Sequence, residues 1–252
     1  MSDKTRKYIL YALGEIALVM IGILLALQVN NWNEGNRLKA QEKVYLELIR
    51  DDLLLQKEEN ERQRSSLNGH LAIEDQLTDL IVNRFNVGKE EQDDAKRILS
   101  TLPAGRTYGA YEATFIDLTS SGNIGLISDQ LLKNRIIQHY QVQKRDRDVI
   151  NNNSLNAYLE VWTKLADRNL IMIAPNLVRF TDEQRVLEFN PEFDFLNDQL
   201  FENLSDENNL ILLQNVLNFK IASTQIANDF LNNSDERIDR LINDIEMAME
   251  AH

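Results

Sequence analysis

Residues 8–32, YILYALGEIALVMIGILLALQVNNW, decide how the rest of the chain is read. Between Ile9 and Val29 lie 21 positions with one charge, Glu15, and one other strongly polar side chain, Gln28. At the rise of an α-helix this run is roughly 30 Å long, close to the hydrocarbon thickness of a bilayer. Lys4, Arg6 and Lys7 precede it. Tyr8 and Tyr11 stand at one end and Trp32 at the other, where amphipathic rings favour the interface. A membrane-spanning helix is therefore expected. The rival is a cleavable signal peptide. Against it stand the length of the apolar run, the acid inside it, and the absence of an Ala-x-Ala-like site at Leu25-Ala26-Leu27-Gln28. No other segment is apolar enough to enclose this one as a soluble core helix.

Three basic residues crowd the positions before the span, and Arg37, Lys39 and Lys43 follow it. The balance favours a cytoplasmic N-terminus by a small margin. The expected organisation is a cytoplasmic tail (residues 1–7), a transmembrane helix (8–32) and an extramembrane helical domain (33–252). A single-pass protein of the inner membrane with its C-terminal domain on the periplasmic side is then expected. Inside the span, Gly14, Leu18, Gly22 and Ala26 recur every four residues, and Gly22 with Ala26 would let a second helix approach closely. Glu15 has two readings. It either sits near the interface and assists helix association, or it couples protons or ions.

Beyond the span the composition points to helices: 252 residues in all, three Pro, nine Gly and 43% hydrophobic residues. The net charge of −13 argues against nucleic acid as a partner, and the absence of cysteine removes disulfide and thiolate chemistry. The expected fold class is all-α, a bundle of four or five main helices. The first continues from the membrane, straight on or after a bend at Asn33–Gly35, with Leu38, Gln41, Tyr45, Leu48, Asp52 and Leu55 as its seam. Ser65-Ser66 and Asn68-Gly69 mark a kink or a turn, and Asn86-Val87-Gly88 ends that element. A short helix is expected over Glu90–Ser100.

A long helix is expected from Asp129 to Ala174, stopped by Pro175. Its centre, QVQKRDRD, reads as too polar for a deep core. Asn176–Pro191 looks irregular, with Phe189, Phe193 and Phe195 pinning the chain to the bundle. A helix starting at Ser205 carries Leu210, Leu213, Leu217, Ile221, Thr224 and Leu231 inward. Asn232-Asn233 interrupts it, and Ser234 caps a last segment. No second span is expected after it.

The stretch LPAGRTYGAYEATFIDLTSSGNIGLIS, Leu102 to Ser128, departs from this pattern, with four of the nine glycines and few charges. A helix from Ala110 to Ser120 is expected, with Gly122 at its C-terminal cap and Ser128 as N-cap of the next. One reading is a small pocket lined by Arg106, Tyr108, Tyr111, Glu112 and Asn123. The other is a helical corner that fixes bundle geometry.

The block YALGEIALVMIGILLALQVNNWNE, together with GAYEATFIDLTSSGNIGLISDQLLKNRIIQHY, resembles a family of uncharacterised single-pass membrane proteins from Gram-negative bacteria. Its members share Gly-Glu-Ile near the start of the span and an Asn-Asn-Trp-Asn exit. The second block matches in pattern more than in letters. Phe115-Ile116-Asp117 stands here in place of a shorter, more basic connection. The resemblance covers the whole chain and implies membrane anchoring, but the family has no established activity.

No catalytic, cofactor or metal residues can be nominated. His70 and His139 have no second histidine at helical spacing, His252 is terminal, and no Glu-x-x-His motif occurs. All three histidines are expected to make surface or partly buried polar contacts. Neither a phosphate loop nor a nucleophile elbow is present. The expected function is non-enzymatic: a membrane-anchored interaction or scaffold module with a protein partner or a homo-oligomer. The alternative is a small-ligand sensor built on the Leu102–Ser128 corner.

Overall fold

The computed structural model describes residues 3–102, 107–109, 111–171 and 195–250. Among these there is no strand. Six α-helices follow one another: α1 (Asp3–Val82), α2 (Gln92–Thr101), α3 (Ala113–Ser120), α4 (Gln130–Asp167), α5 (Phe195–Ser205) and α6 (Glu207–Glu250). A 3₁₀ turn, Asn123–Leu126, separates α3 from α4. Against the four or five main helices expected, the described residues form three long ones, of 80, 38 and 44 residues, and three short ones.

The apolar N-terminal run is the start of α1, not a separate helix. Every residue from 13 to 34 is exposed. The helix is long and apolar enough there to cross a membrane. It continues unbroken through Asn33–Gly35 and through Ser65–Gly69, so neither the expected bend nor the expected turn interrupts it.

The contacts gather into two compact units. The first comprises Met1–Asp52, Glu112–Ile136 and Leu241–His252, and the second Leu53–Tyr111 and Ile137–Arg240. In the first unit Leu46, Ile49, Leu118, Ile127, Ile136 and Ile245 are buried. In the second, one apolar core joins the end of α1 (Leu77, Ile81) to α2 (Ala95, Leu99), α4 (Val161, Leu165), α5 (Leu200, Leu204) and the start of α6 (Leu213, Leu217).

The pairings inside the second unit fix helix directions. Gln56 meets His139, and farther along both helices Leu77 and Ile81 share a core with Val161 and Leu165, so α1 and α4 run parallel. Asp239 pairs with Lys57, Asp235 with Asn60, and Thr224 with Glu74, so α6 runs against them. Parallel neighbours require a long return connection. Leu102 in the apolar core, Tyr108 beside Asn60 and Tyr111 beside Gln56 are described residues on that return. This accounts for its departure from helical composition.

Helix ends follow local chemistry that differs from the expectation at several points. Gly122 does take the left-handed conformation after α3, at φ 77°. The caps of α4 and α6 are aspartates rather than the serines before them. Asp129 Oδ1 accepts the N–H groups of Leu131 and Leu132 (2.7 and 3.1 Å), and Asp206 Oδ1 those of Asn208 and Asn209 (3.0 and 3.2 Å). A charged acceptor suits the positive end of the helix dipole better than a hydroxyl does. Ser205 ends α5 instead, donating to Phe201 O.

The long helices stop earlier than expected. α1 ends at Val82, before Asn86-Val87-Gly88, and α4 ends at Asp167, before Ala174. Both stops use non-glycine residues at positive φ, Arg84 (52°) and Phe85 (51°) after α1 and Asn169 (52°) after α4. The residue after Arg84 and after Asn169 closes back: Phe85 N–H bonds Leu80 O at 2.8 Å, and Leu170 N–H bonds Leu165 O at 2.9 Å. Phe85 and Leu170 are buried, so an apolar anchor just past each stop holds the turn. Asn151–Asn153 and Asn232-Asn233 lie inside continuous helix and interrupt neither α4 nor α6. Pro175, Asn176–Pro191, Phe189 and Phe193 lie outside the described residues.

Candidate functional site

α1 has an inward face that the described residues cover and an outward face, with Val44 and Leu48 on it, that they leave exposed. The inward face runs Glu42, Leu46, Ile49, Leu53, Gln56, Asn60, all buried, at steps of three and four. The expected seam, Leu38–Leu55, is wrong by about one residue. Leu38, Leu48 and Leu55 are 39%, 45% and 41% exposed, while Leu46 and Ile49 are fully covered. Both faces carry leucines, so periodicity alone favoured the outward one.

The outward face extends into the apolar run. Eleven residues make about three helical turns. Glu15, Ala26, Arg37 and Leu48 therefore recur on one face, with Gly22, Asn33 and Val44 beside them. All are exposed. A Cβ built at Gly14 or Gly22 would meet nothing within 4 Å, so nothing else in the chain requires glycine there. Arg37 is held by Glu34 one turn earlier, at 2.6 Å.

In the first unit the inward face is tied to the corner by polar contacts. Glu42 Oε1 accepts from Ser128 N–H (2.7 Å) and Ser128 Oγ (2.9 Å), which is why Ser128 does not cap α4. Tyr45 Oη donates to Asp117 Oδ2 (3.0 Å) and accepts from Asn123 Nδ2 (2.8 Å). Asp52 Oδ2 accepts from Thr114 N–H at 3.0 Å. Glu112 precedes α3 and makes no capping bond with its side chain.

In the second unit polar side chains form a layer between the three long helices. The centre of α4, expected to be too polar for burial, is buried there: His139, Gln143 and Asp146 are 3%, 3% and 6% exposed. Gln56 Nε2 donates to Tyr111 O at 2.5 Å, and Gln56 Oε1 faces His139 Nε2 at 2.9 Å. Since that oxygen can only accept, His139 carries its proton on Nε2, and Nδ1 is left without a partner. Burial first, and the charge of Arg237 second, push the His139 pKa down to about 4. This histidine makes a polar contact to Gln56, as expected, but is buried more fully than the surface or partly buried position expected of it.

Asp146 takes Arg237 at 3.0 Å and Arg145 at 2.9 Å, and Asp235 takes Asn60 at 2.7 Å and Arg64 at 2.5 Å. The Tyr108 hydroxyl donates to Asn60 Oδ1, and its N–H donates to Asn151 Oδ1 at 2.8 Å. Burial and the nearby Asp235 raise the Tyr108 pKa to about 12. The sequence signal for this layer was polar residues at core spacing, Gln56–Asn60–Arg64 and His139–Gln143–Asp146.

The five proposed pocket residues thus divide. Tyr108 is buried in the second unit, and Tyr111 lies at its surface, 36% exposed, with its hydroxyl accepting from Arg62 at 3.4 Å. Glu112 and Asn123 belong to the first unit. Arg106 lies outside the described residues. Among the described residues, no group of three or more His, Asp or Glu side chains could hold a metal ion.

These features define a class: an all-helical protein whose first helix is long and apolar enough to cross a membrane and bears an uncovered face. Residues 15–161 match the model of a family of unknown function (DUF6090), and the chain belongs to that family. The match begins inside the apolar run and ends in α4. It contains the α1 and α4 parts of the polar layer but no residue of α6. No curated protein and no solved structure matches the chain.

Proposed function

We propose that this protein is a non-enzymatic, membrane-anchored interaction or scaffold protein that associates through the outward face of α1. The anchor is the apolar start of α1 in a bacterial inner membrane, with the short N-terminus cytoplasmic and the remaining helices periplasmic. The observation that carries the reading is the outward face of α1, which the described residues leave exposed from Gly22 and Ala26, past Asn33 and Arg37, to Val44 and Leu48.

A second copy of the chain is the partner this face suits first. Anchored copies share one plane and one direction, so identical faces meet at identical heights. In lipid, helices associate by close packing at small residues, and Gly22 with Ala26 supplies such a surface. Glu15 stands on the same face, where its side chain would meet the partner helix.

Purification in mild detergent with mass determination tests this. A dimer or higher oligomer is expected, and a Gly22→Ile variant should shift it to monomer. Monomer alone from the natural chain, with no co-purifying partner, would contradict the reading. The small-ligand alternative draws less support, because the Tyr108 hydroxyl, the Tyr111 carbonyl and the Asn123 amide each already have a partner in the protein.

A further inference from the structure

Two charges interrupt the outward face of α1. Within the first unit that face runs Asn33, Arg37, Val44, Leu48 and Asp51, at steps of four, seven, four and three, and all five are exposed. Each charge is held by a residue of opposite sign on the same helix. Arg37 donates to Glu34 from Nη2 at 2.6 Å and from Nε at 3.0 Å. Arg50 donates to Asp51 Oδ1 from Nη2 at 2.9 Å and from Nε at 3.3 Å. All four side chains are open to solvent, from 33% for Arg50 to 60% for Arg37, so burial does not require either pair. Exposed pairs of this kind add little to the stability of a single chain. Their place on the face gives them another consequence.

Two anchored copies that point the same way pair in register, so each residue at the centre of the contact meets its own counterpart. Arg37 then faces a second Arg37, and Asp51 a second Asp51. Like charges set opposite one another repel, and both pairs would oppose the contact that Gly22, Ala26, Val44 and Leu48 favour. With the Glu34 carboxylate on Arg37 and the Arg50 guanidinium on Asp51, each point of contact carries no net charge.

We propose that Glu34 and Arg50 determine self-association of α1: Glu34 neutralises the two Arg37 side chains, and Arg50 the two Asp51 side chains, that in-register pairing brings together. The inference rests on the reading of this face as the contact between two copies.

Disulfide cross-linking of the full chain with a single cysteine, Leu48→Cys, in isolated membranes at low and high salt tests it. Adding Glu34→Gln leaves Arg37 unneutralised and should lower the dimer yield about two- to fivefold at low salt, and Arg50→Gln should do the same through Asp51. Each loss should shrink in about 1 M salt, which screens exposed charges beyond roughly 3 Å. Glu34→Gln combined with Arg37→Gln should restore the yield. A merely structural role for Glu34 would show neither the recovery in salt nor the rescue. Unchanged yields for both single variants at low salt, or losses that neither salt nor Arg37→Gln reverses, would overturn the proposal. Absence of any dimer from the Leu48→Cys chain itself is a different failure, since it removes the pairing of copies and the inference with it.

Discussion

Arg84 and Asn169 both turn left-handed at the end of a long helix, a conformation that costs a residue with a side chain about 1 kcal/mol or more. Arg84 is exposed and nothing in the turn needs its side chain. Arg84→Gly should therefore stabilise the protein by about 0.5–1 kcal/mol in urea unfolding, the loss of chain entropy offsetting part of the gain. Asp206→Ala acts in the other direction. It removes the acceptor for two N–H groups at the start of α6 and should cost about 1 kcal/mol. Which of two adjacent cap-forming residues, Ser or Asp, takes the cap was not legible locally. Ser128 and Ser205 are engaged elsewhere, by Glu42 and by Phe201 O, and the first of these contacts spans 86 positions.

His139 gives the molecule a pH dependence of known sign. Its folded pKa lies near 4, below the 6.5 of an exposed histidine, because burial and then the charge of Arg237 disfavour the protonated ring. Between those values the unfolded chain binds more protons, so stability is complete above about pH 6.5 and falls as the pH drops toward 4. The loss is on the order of 3 kcal/mol. Carboxylates titrate in the same range, so the comparison that isolates the histidine is with His139→Gln. That variant should show a shallower decline between pH 6.5 and 4. Identical slopes for the two proteins would remove His139 as the cause.

At the scale of elements, the helical content and the α6 face were legible because they rest on local rules. Leu210, Leu213, Leu217 and Leu231 repeat at helical spacing and are all buried. α1 was harder. Its segment LELIRDDLLL places leucines on opposite faces, and only the packing partners distinguish inward from outward. The polar layer escaped for a related reason. QVQKRDRD looks solvated until partners from α1 and α6 are brought to it, and Arg237 lies 91 positions from the Asp146 it neutralises. In the Leu102–Ser128 corner, Tyr108 and Asn123 each bond a side chain of α1, Asn60 and Tyr45. Asn60→Ala tests that bracing. It leaves the Tyr108 hydroxyl and Asp235 each short of a partner and should cost about 1–3 kcal/mol, read as a lower unfolding midpoint.

At the scale of the whole molecule, α1 begins in a run long and apolar enough to cross a membrane and takes part in both compact units. One helix of 80 residues carries the apolar run and the inward faces of both compact units. The family match, from residue 15 to 161, likewise starts inside the apolar run. Alkaline extraction of the full chain should leave it in the membrane pellet, as expected for an integral span, and release into the supernatant would contradict anchoring.

The central claim is that a second copy covers the outward face of α1. The chain has no cysteine, so single cysteines along α1 can be oxidised in intact cells without background. The account predicts disulfide-linked dimers for cysteine at Val44 and Leu48, and little or none at Leu46 and Ile49 on the buried face. Gly22→Ile in the Leu48→Cys background should abolish the cross-link. No dimer at either outward position would contradict the account.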